Sequence, residues 1–222
     1  MKYFIIILFL IGSAKAQFVN PGYNAWNNHS SGVVGKDSAK FNLSASAHSV
    51  SGWVNVVGDP STGTRTATGG NSNTITFTSV QTSHWTTFSG VCAAADNGIN
   101  SAGQFPAAVN FQSWFQGAAT LSGSNYQVKI GGLNDSKFYK VQVNGIFPTA
   151  TLTDYYYEGA VTSPTLFEFG SPTTSNTISA YAEARGSGGG GIQSSGGFIY
   201  LYFIPHSGYT FCMLGAVTIV EQ

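Results

Sequence analysis

The chain has 222 residues, of which only 8% are charged and 14% are aromatic, and its nine basic residues balance nine acidic ones. The length suits one all-β domain, and so many aromatic residues with so few charges exclude an intrinsically disordered chain. The sequence contains no run of basic residues, so nucleic acid is not an expected partner.

Residues 1–16 have the pattern of a secretory signal peptide. Lys2 supplies the positive start, residues 4–11 form an apolar core, and Ala14-Lys15-Ala16 is a small-x-small cleavage site. An uncleaved anchor or a buried strand is the alternative for this segment. Its apolar core is shorter than the roughly 20 residues that a membrane-spanning helix needs, and no later segment is a candidate span. We therefore expect a secreted, extracellular protein with one domain at residues 17–222.

Short apolar or alternating segments recur along the chain and predict β-strands. In the first half they are residues 38–51, 53–57 and 74–78. Residues 58–73 are rich in Gly, Ser, Thr and Asn and predict a surface loop, and residues 106–115 favour a short helix over a short strand. In the second half the predicted strands are residues 126–130, 138–146, 151–158, 165–169 and 178–184, followed by a Gly/Ser loop at 186–197.

Two apolar runs end the chain. Residues 198–204 are apolar on both parities, which predicts a central strand with both faces covered. Residues 205–208 interrupt this run, and a second run follows at 209–220. We predict that the two runs form a hairpin at the heart of the domain. The whole pattern predicts an all-β, antiparallel β-sandwich with at most one or two short helices.

Three stretches carry a resemblance to a known family. They are Asn20 with Trp26-Asn27-Asn28, the strand-turn-strand segment at 130–139, and the two C-terminal runs. With these motifs the chain resembles the galactose-binding-like jelly-roll family, which includes carbohydrate-binding modules and malectin-like domains, over most of residues 18–222. The sequence departs from the family in its few charges and in the glycine tract at 186–191. The resemblance implies a jelly-roll sandwich that binds glycans without catalysis, through loops at one end or along one face.

Proteins bind sugars with aromatic rings that stack on C–H patches and with polar groups that bond to hydroxyls. For each tryptophan a place in the core is the alternative. Because consecutive strand residues alternate between faces, at least one ring of the tyrosine triplet at 155–157 must point outward. The candidate ligand-binding residues are Trp26, Asn27, Trp85, Asp154, Tyr155, Tyr156, Tyr157, Glu158 and Arg185.

The sequence favours a protein that is not an enzyme. The four histidines lack metal-ligand spacing, and no Gly-x-Ser-x-Gly motif is present. A glycosidase needs two facing acids; Asp154 or Glu158 with Glu183 is a candidate pair across strands, but nothing in the sequence requires it. We expect no cofactor, except that turns at Asp96 or Asp135 are compatible with a structural calcium ion.

The composition also suits another function, that of a structural or adhesive subunit of an extracellular filament, appendage or virion. Low charge, many Tyr, Ser, Thr and Gly residues, and apolar strands favour self-association. The expected partners are therefore a carbohydrate or cell-surface glycan, or further copies of the chain.

The chain has two cysteines, Cys92 and Cys212. A secreted protein can join them in a disulfide, which would close a long loop and stabilise the fold by about 2–4 kcal/mol. Alternatively both remain buried free thiols, since Cys212 lies in an apolar run. Their spacing does not decide between the two.

Overall fold

A computed structural model describes residues 36–46, 49–87, 105, 109, 113–117, 121, 124–145, 153–161, 163–167 and 182–222. Within these ranges the chain is all β: no α-helix is present, and a 3-10 turn spans Ser187–Gly189. The predicted signal peptide lies outside the described residues. No helix in the described ranges is long and apolar enough to cross a membrane.

Fifteen strands are assigned among the described residues. In chain order these are β1 (Ser38–Ser44), β2 (Val54–Val57), β3 (Thr66–Gly69), β4 (Ile75–Ser79), β5 (Trp85–Thr87), β6 (Trp114–Gln116), β7 (Val128–Gly131), β8 (Phe138–Asn144), β9 (Thr153–Glu158), β10 (Thr165–Leu166), β11 (Ala182–Ala184), β12 (Ile192–Gln193), β13 (Ile199–Pro205), β14 (Cys212–Leu214) and β15 (Ala216–Glu221).

The strands build two large sheets and a small one. The first sheet has the order β11-β8-β15-β1-β2, with β12 also paired to β8. The second sheet has the order β10-β9-β13-β7-β4-β3, and the third has the order β14-β6-β5. Every pair is antiparallel except β1 with β2. The predicted all-β, antiparallel β-sandwich is therefore confirmed.

The core lies between the inner faces of the two large sheets. Phe41 of β1 and Phe77 of β4 meet across the sandwich, with ring centroids 5.3 Å apart. The third sheet adds Trp85 and Trp114 to the same core, with ring centroids 5.7 Å apart in an edge-to-face arrangement. Burial of such large aromatic side chains dominates the energetics of a sandwich core.

The two C-terminal runs do not form the predicted hairpin. Strand β13 lies between β9 and β7 in the second sheet, whereas β15 lies between β8 and β1 in the first. The run at 209–220 also divides at Gly215, since β14 joins the third sheet and β15 the first. The hairpin was therefore wrong. Strand β13 is central in its sheet as predicted, but its outer face is only partly covered, since Tyr200 and Ile204 are half-buried. Strands β13 and β15 each pair on both sides, whereas β14 lies at the edge of the third sheet and pairs with β6.

One further local prediction was wrong, and the short helix predicted at 106–115 was wrong over Trp114 and Phe115, whereas most of that segment lies outside the described residues. The expected loop at 58–73 contains β3, an edge strand whose threonines pair with β4. Threonine favours strands as well as loops, so the composition of this segment did not distinguish the strand from a loop. Trp114 and Phe115 lie in strand β6 instead of a short helix, because pairing with both β5 and β14 outweighs local preference.

Candidate functional site

Strand β9 places its side chains alternately inside and outside the sandwich. Thr153, Tyr155 and Tyr157 are buried, while Asp154, Tyr156 and Glu158 are half-buried on the other face of the strand. The hydroxyl of Tyr155 donates a hydrogen bond to the backbone carbonyl of Met213 at 2.7 Å. The triplet therefore divides as strand geometry requires, and only Tyr156 turns its ring to the outer face.

Strand β13 places further aromatic residues beside β9. Tyr202 lies directly opposite Tyr156, and Tyr200 lies opposite Glu158. Directly opposed side chains share a face of the sheet and lie within contact of one another. The outer side of the second sheet thus carries tyrosines on two adjacent strands.

We call this surface the aromatic face; it consists of Tyr126, Tyr156, Phe198, Tyr200 and Tyr202. The Tyr126 and Tyr200 ring centroids are 4.6 Å apart, and those of Phe198 and Tyr200 are 6.3 Å apart. All but Tyr202 are half-buried, whereas Tyr202 is 0% exposed. The rings are held by their neighbours and still present part of their surface outward.

A glycine in β7 lets Phe198 lie close to the sheet. A Cβ atom at Gly131 would lie 2.8 Å from the Phe198 ring and 2.7 Å from the Thr76 hydroxyl. Any larger residue would have to displace the ring, since real Cβ atoms do not make such close contacts. Gly131 therefore fixes the position of Phe198 at one side of the aromatic face.

Polar groups border the rings. The Tyr202 hydroxyl donates to Glu158 Oε2 at 2.7 Å, and the ring N–H of His206 donates through Nδ1 to Asp154 Oδ1 at 2.8 Å. Burial, followed by the bond to Glu158, raises the pKa of Tyr202, so its hydroxyl remains protonated and a donor.

A row of outward side chains crosses the second sheet from strand to strand. Pairing aligns Glu158 of β9 with Tyr200 of β13, and Tyr200 with Lys129 of β7. Lys129 is in turn aligned with Thr78 of β4, and Thr78 with Thr66 of β3. We call these five residues the transverse row: a carboxylate, a phenol, an ammonium and two hydroxyls.

Several predicted site residues do not belong to this surface. Tyr155 and Tyr157 are 1% and 9% exposed and face the core. Trp85 is 2% exposed, packs 5.1 Å from Phe203 between ring centroids, and donates its indole N–H to the Val80 carbonyl. These three assignments are corrected to core positions, because the core of a sandwich takes the largest apolar side chains. Trp26 and Asn27 lie outside the described residues.

Glu183 lies in β11 of the first sheet, and Arg185 directly follows that strand, away from the aromatic face. Glu183 accepts hydrogen bonds from Gln142 and Arg185 and has Lys140 Nζ 3.8 Å away. Its register partner is Gln142 of β8. The carboxylate pair considered for a glycosidase, with Glu183 facing Asp154 or Glu158, is therefore divided between two sheets, and Arg185 is not a neighbour of the tyrosines.

The structure has Cys212 as a buried free thiol. Its Sγ donates to the backbone carbonyls of Gln116 and Phe203 at 3.2 and 3.3 Å, and burial in the apolar core raises the pKa of the thiol. The choice between the disulfide and two free thiols stays a prediction, because it also depends on Cys92. Cys92 lies outside the described residues.

Asp135 ties two loops together. Its Oδ1 accepts hydrogen bonds from Ser194 Oγ at 2.5 Å and from the backbone N–H of Gly197 at 2.8 Å. These bonds, with that of Ser194 the strongest, lower the pKa of the carboxyl. Asp96, the other residue considered for calcium, lies outside the described part of the chain. Among the described residues no group of three or more His, Cys, Asp or Glu side chains is arranged to hold a metal ion.

Sequence reasoning found Tyr156 and its acidic neighbours but missed Tyr126, Lys129, Phe198, Tyr200 and Tyr202. Tyr200 and Tyr202 share a parity within the run at 198–204, and that parity was the available signal. It was overlooked because the whole run is aromatic or branched. Lys129 carries no such signal, since its place between rings depends on the pairing of β7 with β13.

Comparison with known proteins leaves the family open. No protein-family model and no curated protein matches the sequence, so the galactose-binding-like resemblance stays a prediction. Among solved structures, the chain is similar to the crystal structure of protein YxiM from Bacillus subtilis, with 14% identity and a TM-score of 0.48. The similarity covers 83% of this chain and 40% of that chain, so this chain spans about two fifths of its length.

Proposed function

We propose that this chain is a secreted, non-catalytic carbohydrate-binding module that binds glycans on the aromatic face. The observation that carries the proposal is the set of half-buried rings outside the second sheet. Tyr126, Phe198 and Tyr200 lie with neighbouring centroids 4.6 and 6.3 Å apart. The outer face of an antiparallel sheet is ordinarily polar, so contiguous rings there offer a stacking surface to an apolar partner.

The chemistry of the face suits sugars better than purely apolar ligands. Each tyrosine offers an aromatic ring and a hydroxyl, and burial raises the pKa of Tyr156 and Tyr200, which keeps them neutral donors. Glu158 and Lys129 stand in register on either side of Tyr200. A ligand that stacks on the ring therefore meets an acceptor at one edge and a donor at the other. Because strands carry these groups, binding costs little ordering entropy.

The spacing of the acids supports binding without hydrolysis. Asp154 and Glu158 point to the same face of β9 but are four residues apart. At about 3.3 Å per strand residue their backbones are about 13 Å apart. Facing glycosidase carboxylates lie roughly 5–9.5 Å apart, and each acid here already accepts a hydrogen bond, from His206 or Tyr202.

Glycan arrays and affinity electrophoresis in soluble polysaccharides test the proposal. We expect binding to at least one polymer, with a loss of about tenfold in Tyr200→Ala, because ring stacking is worth up to about 1.5 kcal/mol beyond the buried area and about 1.4 kcal/mol is tenfold in affinity. Tyr156→Ala should lose less affinity, because Tyr156 lies on the neighbouring strand β9 and not in the cluster of Tyr126, Phe198 and Tyr200. Phe138→Ala is the matched control, an exposed aromatic on the first sheet. Equal loss in the control, or no binding across a broad panel, would refute the proposal.

One observation favours the second candidate, a structural or adhesive subunit that self-associates. Leu166 of β10 is 55% exposed and lies opposite Tyr156 at one side of the aromatic face. Exposed apolar residues that are contiguous with rings form the kind of patch that self-assembling subunits bury. Native mass spectrometry separates the two candidates: a subunit of this kind forms oligomers that Leu166→Glu disrupts, whereas a glycan-binding module stays monomeric.

A further inference from the structure

We infer that the glycan lies across the strands along the transverse row, and that Lys129 selects an acidic sugar by binding a uronate carboxylate beside Tyr200. This inference rests on the proposed function, because it names the ligand class for the same surface. Its basis is the position and the charge of Lys129.

Lys129 is a positive charge held in place by aromatic rings. Its Nζ lies 3.5 Å from the centroid of Phe198 and 5.9 Å from that of Tyr200. Cation–π contacts of this kind fix an ammonium group without neutralising its charge. The long aliphatic stem stays half-buried along the sheet, so the side chain loses little further entropy when it binds a ligand.

No carboxylate pairs with Lys129 in the described part of the chain. Lys137 and Lys140, by contrast, lie within ion-pair distance of Glu221 and Glu183. The neighbours of Lys129 along the transverse row are Tyr200 and Thr78, which are both uncharged. An ammonium that is positioned and unpaired is a natural partner for an external anion.

The acids on the same face are distant from Lys129 and engaged. Glu158 stands two strands away, about 10 Å at 4.8 Å per strand, which is about one Debye length at physiological salt. Its Oε2 also accepts the Tyr202 hydroxyl, and Asp154 accepts the N–H of His206. The charge next to Tyr200 on the β7 side is therefore positive.

The dimensions of the transverse row suit an extended polysaccharide. Four intervals between five strands, at about 4.8 Å each, give a length of about 19 Å. One pyranose unit of an extended chain has nearly the length of one interval, so successive units can fall on successive strands. A unit stacked on Tyr200 then directs a carboxylate at its ring edge toward Lys129, and further units meet the hydroxyls of Thr78 and Thr66.

Isothermal titration with two matched polymers tests the inference. The probes are alginate oligosaccharides and the same oligosaccharides after reduction of their carboxyl groups to alcohols. We expect the intact protein to prefer the acidic form by about tenfold, the scale of one charge-assisted hydrogen bond, with a preference that weakens as salt is added. Lys129→Met retains the aliphatic contact with Phe198 and should lose the preference.

The controls separate a specific site from general attraction. Lys36→Met removes the same charge from an exposed residue before β1 of the other sheet and should leave the preference intact. Equal affinity for both forms, or a preference that survives Lys129→Met, overturns the inference. If neutral polymers then still bind and lose affinity in Tyr200→Ala, the proposed function stands without it. If no polymer binds, both are overturned.

Discussion

Gln127 uses its side chain in place of a peptide unit at the start of β7, and its removal should destabilise the second sheet. The side-chain Nε2 donates to the Phe203 carbonyl, and the Oε1 accepts from the Phe203 N–H, both at 3.2 Å. The Gln127 backbone N–H also donates to the Leu201 carbonyl at 3.0 Å. Strand β13 is therefore paired beyond the point where β7 begins. Gln127 is 2% exposed and Phe203 is 0% exposed, so water does not replace these bonds.

The expected loss for Gln127→Ala follows from these contacts. Two hydrogen bonds of about 1 kcal/mol net each disappear, and the buried Phe203 N–H is left without a partner, at a cost of about 1–3 kcal/mol. The Phe203 carbonyl retains the thiol donor of Cys212 at 3.3 Å. We expect the free energy of unfolding to fall by about 3–5 kcal/mol. Gln127→Glu should cost at least as much at neutral pH, because it faces a buried carbonyl with a carboxylate.

The stability of Gln127→Glu at low pH provides an internal check on this reasoning. A protonated carboxyl donates and accepts as the amide does, so Gln127→Glu should recover stability relative to Gln127→Ala as the pH falls. Urea unfolding followed by the fluorescence of the buried Trp85 and Trp114 measures both variants. The control is Gln193→Ala, which removes one partly exposed bond of 3.3 Å to the Asp135 carbonyl and should stay within about 0.5 kcal/mol of the parent. An equally mild Gln127→Ala, or no acid recovery, would refute the argument.

Three further predictions follow from single contacts. Gly131→Ala should displace Phe198, lower the free energy of unfolding in urea by about 1–3 kcal/mol and weaken glycan binding. Unchanged stability and affinity would contradict the close approach of Gly131 to the Phe198 ring. The hydrogen bond from Lys137 lowers the pKa of Glu221, so its stabilisation is present above the ordinary value of 4.5 and is lost as the pH falls through the lowered one. Glu221→Gln should therefore flatten the acid loss of stability, and an unchanged profile would count against the ion pair. Thiol titration should find Cys212 unreactive when native and reactive in urea without reductant, whereas no free thiol in urea would indicate a disulfide.

The sequence predicted features that depend on local alternation and missed those that depend on pairing. Period-two patterns located β4 and β8, and strand alternation required at least one ring of the tyrosine triplet to face outward. The same patterns gave no partner for a strand that is apolar on both faces. β13 and β15 look alike for this reason, although they are central strands of opposite sheets. The predicted hairpin came from their nearness in sequence, and the strand β14 between them was not foreseen.

The candidate site shows the same limit, since its residues come from separate parts of the chain. Tyr156, Tyr200 and Lys129 lie on β9, β13 and β7, and only the register of these strands brings them into one row. Register is set by which residues face the core, so knowledge of the inward residues implies the outward ones once the strand order is known. Strand order was the missing quantity, and single-sequence patterns do not contain it.

Aromatic residues on the outer face of a sheet also have a purely structural explanation. The proposed function must account for what that explanation leaves unexplained. Tyrosine favours strands, and cross-strand aromatic pairs such as Tyr156 with Tyr202 stabilise a sheet by about 0.2–1 kcal/mol each. That explanation accounts for Tyr202, which is wholly buried and bonded to Glu158. It accounts less well for Tyr200, which stays half-exposed between Glu158 and Lys129 in register. If the rings served stability alone, loss of Tyr202 would be the costlier change and loss of Tyr200 would leave ligand affinity untouched.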